Sequence, residues 1–493
     1  MNQKQDHRRT MLIGFALCFM ILFRLIPPFP GLNDGGMAVL GLFLGVLILW
    51  LFVAIDWPSL LLIGALMTVP GLTGKAIFSA SFGSPTVIFL IFTFVLTDSL
   101  AKTGILRRIA VSFMTSRLAQ RGPWHFVVLY FASILFLGSF ISPTVLFFLY
   151  LPMLEEICSI LSLEKGNKNA AMLMMGTVIM TGISSGMTPI AHVFPLIAIN
   201  AYEAFAKTTV STLSYLGLAI PVGLLTALLV VVVFRFLLRP PVSEMHMERA
   251  MEIEKRLLSS GKENAAQRGT KRVIAVFFFV IFLWITPSLL SGMLPKGGVK
   301  TALTALSKLG TAFPPILGCV LLSIFTEKGE PLLHLGKALK EGVAWSAILM
   351  CAGTGAIGWA LTQKSVGVMA WVSAHVAPIA VSFSPVMLFL FFALWSALQT
   401  NLSSNMVTAT VVSAAALAMV SQLGGVHPAL LLSSIGMLSA YAFATPPAMP
   451  CVAIAGSSGW TNMRQMMLYG FLAMLVAVLV TTAWGMSVGS ALF

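Results

Sequence analysis

The chain has 493 residues, of which 58% are hydrophobic and only 9% are charged. A water-soluble globular protein carries roughly a quarter charged residues, so this composition excludes a soluble domain and indicates a chain that crosses a membrane several times. The 30 basic and 16 acidic residues give a formal charge of +14. The basic residues lie in loops between apolar segments, which is typical of cytoplasmic loops rather than of a nucleic-acid-binding surface.

The first predicted element is a transmembrane helix whose N-terminus lies in the cytoplasm. The stretch MNQKQDHRRT is short and basic, and it precedes an apolar run from Met11 to about Phe23. No small-residue cleavage site follows, since Arg24 and IPPFPG come next. We therefore interpret residues 1–36 as a cytoplasmic tail and a retained first helix, not as a signal peptide.

Apolar segments of about 17 to 25 residues are candidate membrane helices. They fall near residues 11–27, 37–55, 58–72, 84–101, 125–158, 170–202, 212–238, 272–290, 309–325, 344–373, 385–421, 429–458 and 465–490. Segments 125–158 and 385–421 are too long for one crossing and have a polar interruption in the middle, which predicts re-entrant hairpins. Segments 170–202 and 429–458 contain Gly, Thr and Pro at their centres, which predicts broken helices. The sequence thus predicts an all-α polytopic membrane protein with about 11 transmembrane segments.

Three landmarks recur in the same order at nearly constant spacing. The offsets are 261 for LAKTGI and LTQKSVGV (361 − 100), 262 for Ser142-Pro143-Thr144 and Ser404-Asn405-Met406 (404 − 142), and 257 for Thr188-Pro189 and Thr445-Pro446 (445 − 188). The predicted topology makes the two copies cross the membrane in opposite directions. We therefore expect two inverted repeats, at 37–238 and 272–493, joined by a cytoplasmic linker at 239–271.

The polar interruptions have a physical role in such a repeat. Irregular backbone at membrane depth is tolerated only when it is buried in protein or lines a cavity. Freed carbonyl groups can coordinate a cation, and helix N-termini favour an anion. Two hairpin tips and two broken helices near the midplane indicate the binding site of a secondary transporter.

Four stretches together resemble the divalent anion:sodium symporter (DASS) family. They are SPTVIFLIFTFVLTDSLAKTGILRRIA, FISPTVLFFLYLP, TNLSSNMVTATVV and ATPPAMP. The resemblance covers roughly residues 30 to 490. It implies a homodimeric carrier of dicarboxylates, citrate or sulfate, which works by sodium symport or anion exchange through an elevator motion.

The resemblance also implies the site residues. In the second half, the sodium positions are Thr400, Ser403, Asn405 and Ala444. In the first half, a doubtful second sodium site keeps only Ser142 and Met187, because Pro143 replaces the motif Asn and Gly138 replaces a hydroxyl residue. The implied substrate positions are Ser142, Thr144, Thr188, Pro189, His192, Ser404, Asn405, Thr445 and Pro446. Met406 stands where the second motif has Thr, so the set of anion contacts is thinner than that of a typical dicarboxylate carrier.

Two further residues have alternative interpretations. Asp98 is either a proton carrier within an apolar segment or an interfacial residue paired with Lys102, one helical turn away. His192 follows the Thr188-Pro189 break and is either a contact for an anion or a proton or a core histidine.

The sequence thus predicts a transporter of small organic anions of the di- or tricarboxylate type in a bacterial inner membrane. Sodium is the candidate coupling ion, and no other cofactor and no nucleic acid is expected. The alternatives are a sodium-independent exchanger of the same fold and, more remotely, an ion channel. No His/Asp/Glu/Cys constellation has ligand or triad spacing, and the five cysteines are scattered, so an enzyme is not predicted. The sequence does not identify the anion.

Overall fold

The structure is a computed structural model. It describes residues 3–245, 256–257, 270–293, 297–368, 370–371, 374–375, 384–402, 404–420, 425–446 and 448–493. Most of the predicted linker, residues 239–271, lies outside these ranges. Apart from one two-stranded antiparallel hairpin, β1 (Thr326–Glu327) and β2 (Glu330–Pro331), the regular structure of the described residues is helical.

The helices follow one another in the order that the apolar segments predict. Those before the linker are α1 (Gln3–Leu25), α2 (Asp34–Phe52), α3 (Trp57–Leu66), α4 (Gly74–Ala80), α5 (Pro85–Ala101), α6 (Ile105–Met114), α7 (Pro123–Gly138), α8 (Pro143–Ile160), α9 (Lys168–Met187), α10 (Phe194–Ala206) and α11 (Thr212–Val233). Those after it are α12 (Thr270–Met293), α13 (Gly298–Ser307), α14 (Phe313–Ile324), α15 (Leu335–Glu341), α16 (Trp345–Thr362), α17 (Pro385–Leu402), α18 (Asn405–Val420), α19 (Pro428–Ala440), α20 (Pro450–Ser457) and α21 (Met463–Ser487).

The prediction of an all-α polytopic membrane protein is confirmed. Within the described residues, six helices are long and apolar enough to cross a membrane, or seven if α4 and α5, bent by 42° at their break, form one span. This number is smaller than the predicted 11 because hairpins and broken helices divide several predicted spans into shorter helices. Helices α7, α10, α18 and α19, for example, have 16, 13, 16 and 13 residues.

The first predicted hairpin is a chain reversal between α7 and α8. The Tyr150 hydroxyl donates to Ser133 Oγ at 2.7 Å, although the two residues are 17 positions apart. One continuous helix would separate them by about 25 Å. Pro143 is the first residue of α8, a position where its missing N–H breaks no intrahelical hydrogen bond.

The two broken helices lie head to tail in the interior. Helix α10 packs against α19, and α20 packs against α9, so the first part of each broken helix lies beside the second part of the other. Gly436 of α19 allows the closest approach, since a Cβ there would be 2.8 Å from Pro195 Cα. Where α9 and α19 end, the Ser185 hydroxyl oxygen lies 3.3 Å from the Ala440 carbonyl oxygen, while its shorter hydrogen bond goes to Gly182 O at 2.8 Å. The two chain breaks are therefore neighbours.

Candidate functional site

The first residue of α18, Asn405, lies at the predicted tip of the second hairpin and contacts the second chain break, of which the structure describes residues 441–446 and 448–449. This side chain is 7% exposed. The amide orientation is assigned from its surroundings: Nδ2 faces three acceptors, Ala448 O and Thr400 Oγ1 at 3.1 Å and Thr400 O at 3.2 Å, and shares its two hydrogens among them. Thr400 Oγ1 donates to Ser439 O at 2.6 Å, which leaves its lone pairs free to accept. The structure thus brings together Thr400 and Asn405 of the predicted sodium set, with Ala444 in the adjacent break.

Asn401 holds this break from the hairpin side. Its Nδ2 donates to Ala397 O and to Tyr441 O, both at 2.9 Å. Its Oδ1 accepts the backbone N–H groups of Phe443 at 2.9 Å and Ala444 at 2.8 Å. The side chain is fully buried, and these four bonds use both of its donor hydrogens and both acceptor positions.

Each half has an equivalent hydrogen bond, from a threonine of the break to a backbone carbonyl of the hairpin. Thr188 Oγ1 donates to the Ser139 carbonyl, and Thr445 Oγ1 donates to the Asn401 carbonyl. The donors are 257 residues apart (445 − 188) and the acceptors 262 (401 − 139), close to the spacing of the sequence repeat. Both threonines are buried, so each break is tied to the end of the first helix of its own hairpin.

In the first half, a neighbouring helix supplies the hydroxyl that Gly138 lacks. A Cβ at Gly138 would lie 2.0 Å from Ser184 Oγ, so the Ser184 hydroxyl occupies the space that a side chain at position 138 would fill. Ser184 Oγ donates to Thr181 O at 3.0 Å. The Ser142 side chain caps no N–H group of α8, and Met187 is the last residue of α9.

The other predicted substrate residues lie at different depths. Pro189 is buried in the first break, Ser404 and Pro446 are half-buried, and Thr144 is exposed. The structure therefore does not bring Thr144 into the buried group around the breaks. Ser403 lies outside the described residues.

His192 is held in one orientation inside the first break. Its ring stacks on Phe194 with 3.8 Å between the centroids, and Nδ1 accepts the Val193 N–H at 2.9 Å. Because Nδ1 accepts a hydrogen bond, the proton of a neutral ring lies on Nε2. The ring is half-buried and presents Nε2 as a donor.

Asp98 pairs with Lys102 at 2.6 Å, and its side chain is 26% exposed. This geometry favours the interfacial ion pair over a proton carrier.

Sequence reasoning missed Asn401 and Ser184. Asn401 had a weak signal, because TNLSSN places an amide within an apolar run. Ser184 had none, because only the fold brings it to Gly138. Among the described residues, no group of three or more His, Cys, Asp or Glu could hold a metal ion. The candidate ligands around Thr400 and Asn405 are hydroxyl, amide and carbonyl oxygens, which suit a hard cation.

Two comparisons with known proteins bear on this arrangement. A family model described as "Citrate transporter" (CitMHS) matches residues 44–436, a range that includes both hairpins and the first break. A relative, the sodium-dependent dicarboxylate transporter SdcS of Staphylococcus saprophyticus subsp. saprophyticus, is 22% identical over 499 residues, which cover 97% of this chain and 91% of that protein. The resemblance to DASS-type anion permeases is confirmed. The chain belongs to the citrate transporter family.

Proposed function

We propose that this anion transporter carries small di- or tricarboxylates across the membrane in symport with sodium, by elevator-like alternating access. The observation that carries the proposal is that two interrupted helices meet inside the protein, where the Ser185 hydroxyl contacts the Ala440 carbonyl at 3.3 Å. Interrupted helices at membrane depth expose backbone donors and acceptors that a membrane interior otherwise forbids. Secondary transporters bind their substrates and coupling ions at such breaks.

The two halves, residues 37–238 and 272–493, act as inverted repeats in this proposal, and residues 239–271 join them. The head-to-tail packing of the broken helices supports the inversion, because antiparallel copies of one unit pack in this way. The paired bonds from Thr188 to the Ser139 carbonyl and from Thr445 to the Asn401 carbonyl support it further.

The anion would bind between the two hairpin tips, at the nine substrate positions that the resemblance implies, of which Thr144 is exposed and lies outside the buried group. His192 would donate a hydrogen bond to the anion. Its Nε2–H group is a neutral donor whose direction is set by the ring stacking on Phe194 and by the bond to Val193. Such a donor can contact a carboxylate without a permanent positive charge in the membrane interior, which would be costly.

Sodium would bind in the second half, at Thr400, Ser403, Asn405 and Ala444. Three oxygens lie 3.1–3.2 Å from one amide atom of Asn405. Without an ion, the amide must direct its nitrogen toward them. A sodium ion would attract their lone pairs and allow the amide to turn its oxygen toward the ion. The sodium dependence of the staphylococcal relative, by its name, agrees with this assignment.

A sodium-independent exchanger of the same fold is the alternative that a specific observation favours. In the first half Pro143 brings no amide side chain to match that of Asn405. One half-site is therefore short of ligands, and an exchanger would not require it. In either case we expect a homodimer in a bacterial inner membrane with a cytoplasmic N-terminus.

A thermal-shift screen of the purified protein tests the proposal. Dicarboxylates, citrate, tartrate, sulfate and sulfonates are each added in sodium and in choline buffer. A bound ligand raises the melting temperature by mass action, so we expect a shift from carboxylates that is larger in sodium.

The variant His192→Ala, which removes the proposed donor, should reduce the carboxylate-induced shift. His334→Ala is the matched control, because His334 is an exposed residue beside the β-hairpin that contacts Glu330 at 3.6 Å. The absence of a shift with every anion would contradict the transport proposal. A shift that is equal in sodium and choline would contradict only the sodium coupling.

A further inference from the structure

Asn401 bonds to three consecutive residues of the second break. Its side-chain oxygen accepts the N–H groups of Phe443 and Ala444, and its backbone carbonyl accepts the Thr445 hydroxyl. The peptide unit between Ala444 and Thr445 is therefore held on both sides. Ala444 is held through its N–H group and Thr445 through its hydroxyl. The planar peptide unit between them therefore has little freedom to rotate, and the same holds for the Ala444 carbonyl, the oxygen that the proposed sodium site would use.

The opposite side of the break packs against Gly470 of α21. A Cβ at Gly470 would lie 2.5 Å from Ala444 Cα and 2.9 Å from the Phe443 carbonyl oxygen. Only glycine allows this approach of helix and break. Ala444 is thus clamped between the Asn401 amide and the Gly470 backbone, and it is fully buried.

We propose that Asn401 is the positioning residue of the cation site in the second half. It would hold the Ala444 carbonyl in one orientation without contacting the ion, since the hydrogen-bonding capacity of its own side chain is filled. This inference rests on the proposed sodium coupling. It extends that proposal to a residue that supports the ligands.

The first half has no equivalent of this clamp. The residue that matches Asn401 by the 262-residue offset is Ser139 (401 − 262). Its hydroxyl donates to Leu135 O within α7 at 2.8 Å, and only its carbonyl contacts the break, through Thr188. The two half-sites therefore differ in how their breaks are held, as well as in their ligands.

A sodium titration of the purified variant Asn401→Ala tests the inference. The buffer contains choline, and the melting temperature of the protein is measured at each sodium concentration. Loss of residues that orient metal ligands typically weakens binding about 10- to 100-fold, and we expect a rise of this order in the sodium midpoint. Uptake of the dicarboxylate that the wild type transports, at saturating sodium, should keep its KM within about threefold, since the anion contacts remain. The matched control is Asn169→Ala, because Asn169 is also fully buried and bonds a backbone carbonyl, that of Pro241 at 3.0 Å, away from both breaks.

A second variant keeps the inference testable if Asn401→Ala does not fold. Gly470→Ala displaces Ala444 from the other side without changing the Asn401 side chain itself, and it should also raise the sodium midpoint. Gly358→Ala is its control, because a Cβ at Gly358 meets nothing within 4 Å. A folded Asn401→Ala or Gly470→Ala protein with the wild-type midpoint, or an equal shift in the Asn169→Ala control, overturns the inference alone. A wild type without any sodium response overturns the proposed coupling as well.

Discussion

The two hairpin tips differ most at one pair of equivalent residues, Pro143 and Asn405. Asn405 has an amide whose neighbours are three oxygens at 3.1–3.2 Å. Pro143 begins α8 and brings neither an amide side chain nor a backbone N–H. At this scale the protein is asymmetric, since one tip has an amide side chain and the other has a proline that begins a helix.

The variant Pro143→Asn should strengthen the sodium dependence of uptake. The new amide would add an oxygen ligand to Ser142 and the Met187 carbonyl, and we expect the half-saturating sodium concentration to fall by about tenfold. Radiolabelled uptake at a series of sodium concentrations measures the change.

Pro123→Asn is the matched control, because Pro123 begins α7 as Pro143 begins α8. Replacing a proline that fits its site costs about 0.4–1 kcal/mol in either position, so the control accounts for lost stability. An unaltered sodium response of Pro143→Asn would show that the first tip does not face an ion.

At the scale of helices, the sequence predicted two hairpins and two broken helices, and within each of these four segments one helix ends and another begins. Their re-entrant and inverted arrangement stays a prediction. Pro and Gly within apolar runs interrupt a helix wherever they occur, so the signal is local. The breaks at 188–193 and 441–449 lie within the predicted segments 170–202 and 429–458. The first hairpin, from Pro123 to Ile160, extends only two residues beyond the predicted 125–158 at each end.

The contacts between these elements could not be predicted in the same way. Asn401 reaches Tyr441 across 40 residues, and Ser184 reaches Gly138 from a different helix. Serine and asparagine in an apolar helix are equally compatible with a local bond to the preceding turn. Only the packing of α7 on α9 and of α17 on α19 selects these partners.

The contact between the first hairpin and α9 gives a prediction at this scale. Gly138→Ser should lower the melting temperature, because its Cβ would collide with Ser184 Oγ, and overpacking typically costs about 1–3 kcal/mol. Combining it with Ser184→Gly should restore part of the loss, since this change removes the colliding atoms. Differential scanning fluorimetry in detergent measures both.

Gly64→Ser is the control for that series, because a Cβ at Gly64 of α3 meets no atom within 4 Å. Equal melting temperatures for Gly138→Ser and Gly64→Ser would mean that Ser184 does not occupy the space beside Gly138.

At the scale of the whole molecule, the arrangement of the elements limits how the protein can work. The breaks of α9–α10 and α19–α20 lie side by side within one chain, and the threonines that tie them to their hairpins, Thr188 and Thr445, are buried. A channel would need a continuous open path past these breaks, whereas a carrier needs only alternating exposure of the same site. The buried threonine contacts of both breaks thus favour a carrier, and they leave open whether sodium or a second anion drives it.

Reconstituted vesicles distinguish these two carriers. With an inward sodium gradient and an empty lumen, a symporter accumulates the labelled dicarboxylate, and a sodium ionophore abolishes the accumulation. An exchanger takes up label only when unlabelled substrate is inside, with or without sodium. Because the second half has an oxygen set suited to a hard cation, we expect accumulation that requires the sodium gradient. Uptake that needs internal substrate and ignores sodium would instead assign the Asn405 site to anion binding alone.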